Sequence, residues 1–180
     1  MKHTGFGKIK AEVKTAFSHI EKAYKRAASL ARKGECKGAA EWLYDNFYII
    51  IGEYRATQKR LFDSDRLPGS SGEPRIYAYV RRQAFSKRIL TVPLLSQNLK
   101  ILCDEASPNT SELYSYPTLF IAALLSLLGK CCESMLSEND DDSFCSKREY
   151  TEALEYCVSS FRFLSGVDVS RLCDMASPVE

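Results

Sequence analysis

The residues of this chain that could do chemistry fall in three places. Asp45 and Asn46 lie inside an aromatic and aliphatic run, Glu41-Trp42-Leu43-Tyr44-Asp45-Asn46-Phe47, and Arg75 follows beyond the next linker. A carboxylate among apolar side chains needs a partner, because an unpaired buried charge is costly. A guanidinium can grip a carboxylate through two parallel hydrogen bonds. The pattern predicts an Asp45–Arg75 lock between helices, with Asn46 as a second polar tie. The functional alternative is that Asp45 and Arg75 hold a sugar hydroxyl. The second place is Asp140-Asp141-Asp142, a candidate calcium or magnesium site. A calcium loop of the EF-hand type needs glycine at its sixth position and glutamate at its twelfth. Counted from Asp140, Cys145 and Thr151 stand there, so a solvated acidic loop over 138–143 is expected. The third is the set of seven cysteines, irregularly spaced and without a Cys-x-x-Cys pair, accompanied by only two histidines, His3 and His19. That spacing predicts no metal and free thiols, several of them in the core, in a reducing compartment.

Other machinery is missing from the sequence. It holds no Gly-x-Ser-x-Gly, no phosphate-binding glycine loop and no His-Glu-x-x-His. No Asp-x-Asp triplet follows a strand pattern. No catalytic residue and no cofactor are therefore expected. Lysine and arginine number 25 against 23 acids, a formal net charge of +2, which gives no argument for nucleic acid. The positive charge is uneven. Lys2, Lys8, Lys10, Lys14, Lys22, Lys25, Arg26, Arg32 and Lys33 face only Glu12 and Glu21 over the same stretch. An anionic membrane surface is a candidate partner for that basic helix, against a plain solvated face.

Helices must position these groups. Ile9, Val13, Ala16, Phe17, Ile20, Ala23, Tyr24, Ala27 and Leu30 recur at steps of three and four, predicting a basic amphipathic helix over 6–33 that ends at Gly34. Leu43, Phe47, Ile50, Tyr54 and Leu61 predict a second helix over 36–62. Its other faces are also apolar, so it is expected at the centre of the domain. Leu67-Pro68-Gly69-Ser70-Ser71-Gly72 is a breaker, and Pro74 suits the first turn of a short helix carrying Ile76, Tyr77, Val80 and Phe85. Leu94, Leu95, Leu99 and Leu102 place a helix over 91–105. Asn109 and Glu112 form a capping pattern for the next, with Pro117 inside it, so a kink or a later start is expected. Leu119 to Leu128 is apolar except for Ser126 and well short of the roughly 20 residues that span a bilayer, so it reads as a buried helix. Ser146 and Glu149 suggest a second capping box before Leu154, Cys157, Val158, Phe161 and Leu164. A short turn of helix fits 168–175, so helices over 146–175 close the chain. No alternation of period two and no Asn-Gly or Asp-Gly turn argues for strands. The expected fold is all-α, a single domain over 1–180 formed as a bundle of about six helices.

Three motifs carry a resemblance. Ala39 through Ile50, around Glu41-Trp42-Leu43-Tyr44-Asp45-Asn46-Phe47, resembles the N-terminal signature of cyclic β-1,2-glucan synthases. Glu73-Pro74-Arg75-Ile76-Tyr77-Ala78 is similar to a second segment of that family. Ser111-Glu112-Leu113-Tyr114-Ser115-Tyr116-Pro117-Thr118-Leu119 is similar to a third, with Tyr114 where the family often has tryptophan. Ala176-Ser177-Pro178-Val179-Glu180 looks like the start of a further one. The motifs keep the family's order over 36–136. The resemblance implies a bacterial, UDP-glucose-dependent parent glycosyltransferase of the inner membrane, with this chain as a fragment or expressed piece of its cytoplasmic N-terminal segment. It implies no catalytic residue here. Its implied partner is the remainder of the membrane-bound synthase. The motif residues Trp42, Asp45, Asn46, Pro74, Arg75, Tyr77, Glu112 and Pro117 are expected as structural locks of a scaffold or docking module. A free-standing interaction module is one alternative. A glucan-binding domain is another, with Trp42, Tyr44, Tyr77 and Tyr114 as candidate stacking groups.

Overall fold

A computed structural model describes residues 2–63 and 66–176; the closing Ser177-Pro178-Val179-Glu180 segment lies outside them. The elements run β1 (His3–Thr4), α1 (Gly7–Lys33), α2 (Gly38–Asp63), β2 (Leu67–Ser70), β3 (Glu73–Pro74), α3 (Tyr77–Phe85), α4 (Val92–Ala106), α5 (Thr110–Leu136), α6 (Asp141–Ser146), α7 (Arg148–Ser165) and α8 (Val169–Ala176). The fold is mostly helical, as the periodicity predicts. It has eight helices among the described residues, and a small sheet in addition.

The central helix is α5, not α2. Every residue from Leu119 to Gly129 is buried, and α5 touches α1, α2, α3, α6, α7 and α8. An 18-residue window of α5 has mean hydropathy 1.7 and is 72% buried inside the protein. By length and composition the helix could cross a membrane, yet packing against its neighbours already accounts for its apolar faces. Each fully buried leucine of that run contributes about 1.5–3 kcal/mol over an exposed one. The inner face of α2 is narrower than expected. Leu43 and Ile50 are buried, while Trp42, Phe47, Ile49 and Ile51 are only half-buried and Tyr44 and Tyr48 stand open. Its extra aromatics serve a flank against α1 rather than a second buried side.

The α1–α5 contact is close because it is made of small residues. A Cβ placed on Gly129 would come within 2.5 Å of the Ala16 Cα. In α1 the predicted stripe is buried except for Phe17 and Tyr24, which are half-buried against α2, and Gly34 ends the helix with φ +73, a left-handed cap that suits glycine. α4 starts at Thr91, whose hydroxyl accepts from the Leu94 amide at 3.3 Å. α5 starts at Asn109 with the predicted capping box and runs unbroken through Pro117. A later start is thereby excluded. α7 lacks its predicted box: Lys147 occupies the cap position, and Ser146 instead closes α6, its hydroxyl 3.4 Å from Asp142.

The breaker is a hairpin, not a loop. β2 pairs antiparallel with β1 (Thr4 opposite Leu67) and with β3 (Gly69 opposite Pro74). Ser71 and Gly72 turn it with φ of +54° and +78°. Paired positive φ values match the right-handed twist of flanking strands. Pro74 therefore belongs to β3, where a missing N–H is tolerated at an edge, and α3 begins three residues later. The sequence signal was a Ser-Gly pair flanked by strands of four and two residues, too short for alternation to register.

Two consequences are measurable. Gly38 has φ +54, and a Cβ there would strike the Cys145 carbonyl oxygen of α6. Gly38→Ala is expected to cost about 2 kcal/mol in urea unfolding, from backbone strain and the lost α6 seat. Cys132 and Cys157 are fully buried free thiols, whereas Cys36, Cys103 and Cys131 are half-buried. Burial pushes the Cys131 thiol up to about 11. Its alkylation in the native chain should accelerate about tenfold per pH unit below that value, because the thiolate is the nucleophile. Mass spectrometry should find Cys132 and Cys157 labelled only after unfolding.

Candidate functional site

The hairpin aims Arg75. The Arg75 amide donates to the Pro68 carbonyl at 2.9 Å, which fixes the exit of β3 toward the start of α5. There Arg75 Nε donates to Glu112 Oε1 at 2.9 Å and Nη2 to Glu112 Oε2 at 2.8 Å. Nη2 also reaches the Ser107 carbonyl at 3.2 Å. The Glu112 side chain has 0% exposure and accepts the Asn109 amide at 2.9 Å as well. A carboxylate at a helix N-terminus gains further from the helix dipole. The hydrogen bonds it donates to Glu112 raise the Arg75 guanidinium above its ordinary pKa.

Arg75 is thus locked to Glu112, not to Asp45. The physical reason is placement: Asp45 lies on the exposed side of α2. Asn46 does not tie two helices either; its Nδ2 donates to the Trp42 carbonyl one turn back, at 2.9 Å. The lock joins the second and third family-like segments, which the sequence reading had not paired. Of the stacking candidates, Tyr77 is buried and Trp42 half-buried. Tyr44 and Tyr114 are exposed but stand on α2 and α5.

A continuous aromatic stack runs between α1 and α2. Tyr44 faces Tyr24 at 6.0 Å, Tyr24 lies on Phe47 at 3.9 Å, Phe47 meets Phe17 at 6.2 Å, and Phe17 lies on Tyr54 at 3.9 Å between ring centroids. The stack props Tyr44 outward. Tyr48, one turn on, is 69% exposed. Glu41, Tyr44, Asp45 and Tyr48 make one exposed strip, rigid and amphipathic, of the type that contributes contact area at low entropic cost.

The acidic segment is not a free loop. Asp140 caps α6 by accepting the Ser143 amide at 2.7 Å. Asp141 takes the Arg26 guanidinium at 3.1 and 2.8 Å, and Asp142 takes Lys37 at 2.6 Å. Arg26 also lies 4.3 Å from the Phe144 ring centre. Part of the basic N-terminal third is therefore neutralised internally, Lys8 by Glu73 and Lys25 by Glu21 besides. The capping hydrogen bond holds Asp140 below its usual pKa, and the Lys37 hydrogen bond does so for Asp142. Depressed carboxylates stabilise the fold above their unfolded pKa of about 4 and lose that contribution as pH falls through the folded value. Acidification below about pH 4 should release α6 first, seen as early hydrogen exchange at Ser143 and Phe144.

A group that sequence reasoning left apart lies where α1, α3 and α5 meet. Ser126, the one polar residue in the apolar run of α5, donates to Glu12, one of two acids in the basic third. Arg81 Nη2 reaches the same Glu12 Oε1 at 3.2 Å. Both exceptions to their local composition were visible signals, and they turn out to be each other's partner. Beside them lies a groove of about 450 Å³. Among the described residues no group of three or more His, Cys, Asp or Glu could hold a metal ion.

No family model, no curated protein and no solved structure matches this chain.

Proposed function

We propose that this chain is a non-catalytic helical docking module, resembling the soluble N-terminal segment of a cyclic β-1,2-glucan synthase-like glycosyltransferase. Its partner is the membrane-bound remainder of such a synthase. The observation that carries this reading is the division of the Glu41–Phe47 run by face. Leu43 goes to the core, while Tyr44 and Asp45 join Tyr48 on an exposed strip that the aromatic stack holds rigid. Arg75 and Glu112, one from each of the other two segments, are engaged with each other. Such a surface has the aromatic centre and charged rim of a contact patch. The test is direct binding: purified chain against nanodiscs carrying a cyclic β-1,2-glucan synthase whose own N-terminal soluble segment is deleted. Saturable binding supports docking. The chain alone should incorporate no UDP-glucose into glucan, and incorporation would overturn the non-catalytic reading.

A further inference from the structure

The groove between α1, α3 and α5 is lined by both signs of charge around a small-residue floor. The floor is the Gly129–Ala16 contact. On one side, Glu12 is held in place by Ser126, itself 3% exposed, and by Arg81. On another, Lys130 Nζ and the Arg81 guanidinium each sit 5.1 Å from the centre of the Phe85 ring. Both side chains also line the groove. On α5, three residues beyond Lys130, Glu133 stands 4.0 Å from His19 of α1. Glu12, Glu133, Arg81 and Lys130 all line the groove. The Tyr77 hydroxyl, in a residue 1% exposed, has no hydrogen-bond partner among the described residues.

We propose that this groove binds a small zwitterion, a free amino acid, with its carboxylate on Lys130 and Arg81 and its ammonium on Glu133 and Glu12. The reason is charge balance. A simple anion would meet two carboxylates, and a simple cation two positive side chains. A molecule carrying both charges a few ångströms apart satisfies both pairs, and a volume of about 450 Å³ holds one with a long side chain. Glu12 is already oriented by two partners, so little order must be created on binding. Charge-assisted hydrogen bonds are the strong ones.

The test is a titration of the ¹⁵N-labelled full chain with each common amino acid, read at the backbone amides of Thr15, Ser126 and Gly129. At least one should shift all three amides saturably. Its methyl ester, which lacks the carboxylate, and its N-acetyl form, which lacks the ammonium, should each bind about tenfold more weakly. Lys130→Met, at an exposed position, should weaken the free amino acid about fivefold and leave the ester unchanged. Shifts by no amino acid, or equal binding of the blocked forms, would overturn the assignment.

Discussion

Arg75→Ala should lower the unfolding free energy by about 2–3 kcal/mol, measured as the urea midpoint at unchanged slope. The loss is not that of a surface ion pair, for which about 0–1 kcal/mol would be ordinary. Glu112 has no solvent exposure of its own, so removing Arg75 strands a carboxylate whose only other described donor is the Asn109 amide. Arg75 is itself 35% exposed, which holds the figure below the about 3–5 kcal/mol of a fully buried pair. Arg75→Lys keeps the charge but loses the fork, and should recover only part of the stability. The Arg75→Ala, Glu112→Ala cycle should give a coupling energy of at least about 1 kcal/mol. The same cycle on Arg75 and Asp45 should give none. A cycle that couples Arg75 to Asp45 instead would refute the hairpin's placement of the guanidinium.

Gly129→Val should cost about 3 kcal/mol or more, despite moving a helix position from a poor helix former to a better one. The propensity gain is well under about 1 kcal/mol, because valine is β-branched. Against it stands the steric conflict with Ala16, at 2.5 Å from its Cα. Neither α1 nor α5 can yield cheaply there, since both bury their stripes on either side of the contact. Gly129→Ala should cost less, about 1–2 kcal/mol, and Ala16→Gly in the same chain should return part of it. A Gly129→Val chain that unfolds like the parent would mean the two helices do not meet at this point.

Much of the fold could be read from the sequence, because the signals were periodic and long. The stripes of α1, α4, α5 and α7 repeat over several turns, and the Asn109–Glu112 box names its own first residue. Three things were hidden for physical reasons. The hairpin strands hold two to four residues, too few for a period to show, and a Ser-Gly turn lacks the usual Asn or Asp. The rank of α2 and α5 was inverted because tyrosine counts as apolar in a pattern, yet stacks at a surface with its hydroxyl in water. The partner of Arg75 was missed because pairing depends on where the hairpin ends, which no spacing along the chain reveals. For the groove, Ser126 and Glu12 were each conspicuous, and only the α1–α5 approach brings them together.

We propose the exposed strip of α2 as a contact surface and the motif's inner and paired residues as architecture. The most direct test is binding of Tyr48→Asp chain to the nanodisc-held synthase lacking its N-terminal segment, with Tyr114→Asp as the control on α5. Both residues are more than half exposed, so both variants should fold with unchanged urea midpoints. Tyr48→Asp is expected to weaken binding by about tenfold or more, and Tyr114→Asp to leave it unchanged. Equal affinity of the two variants, or no binding by the parent chain, would contradict it.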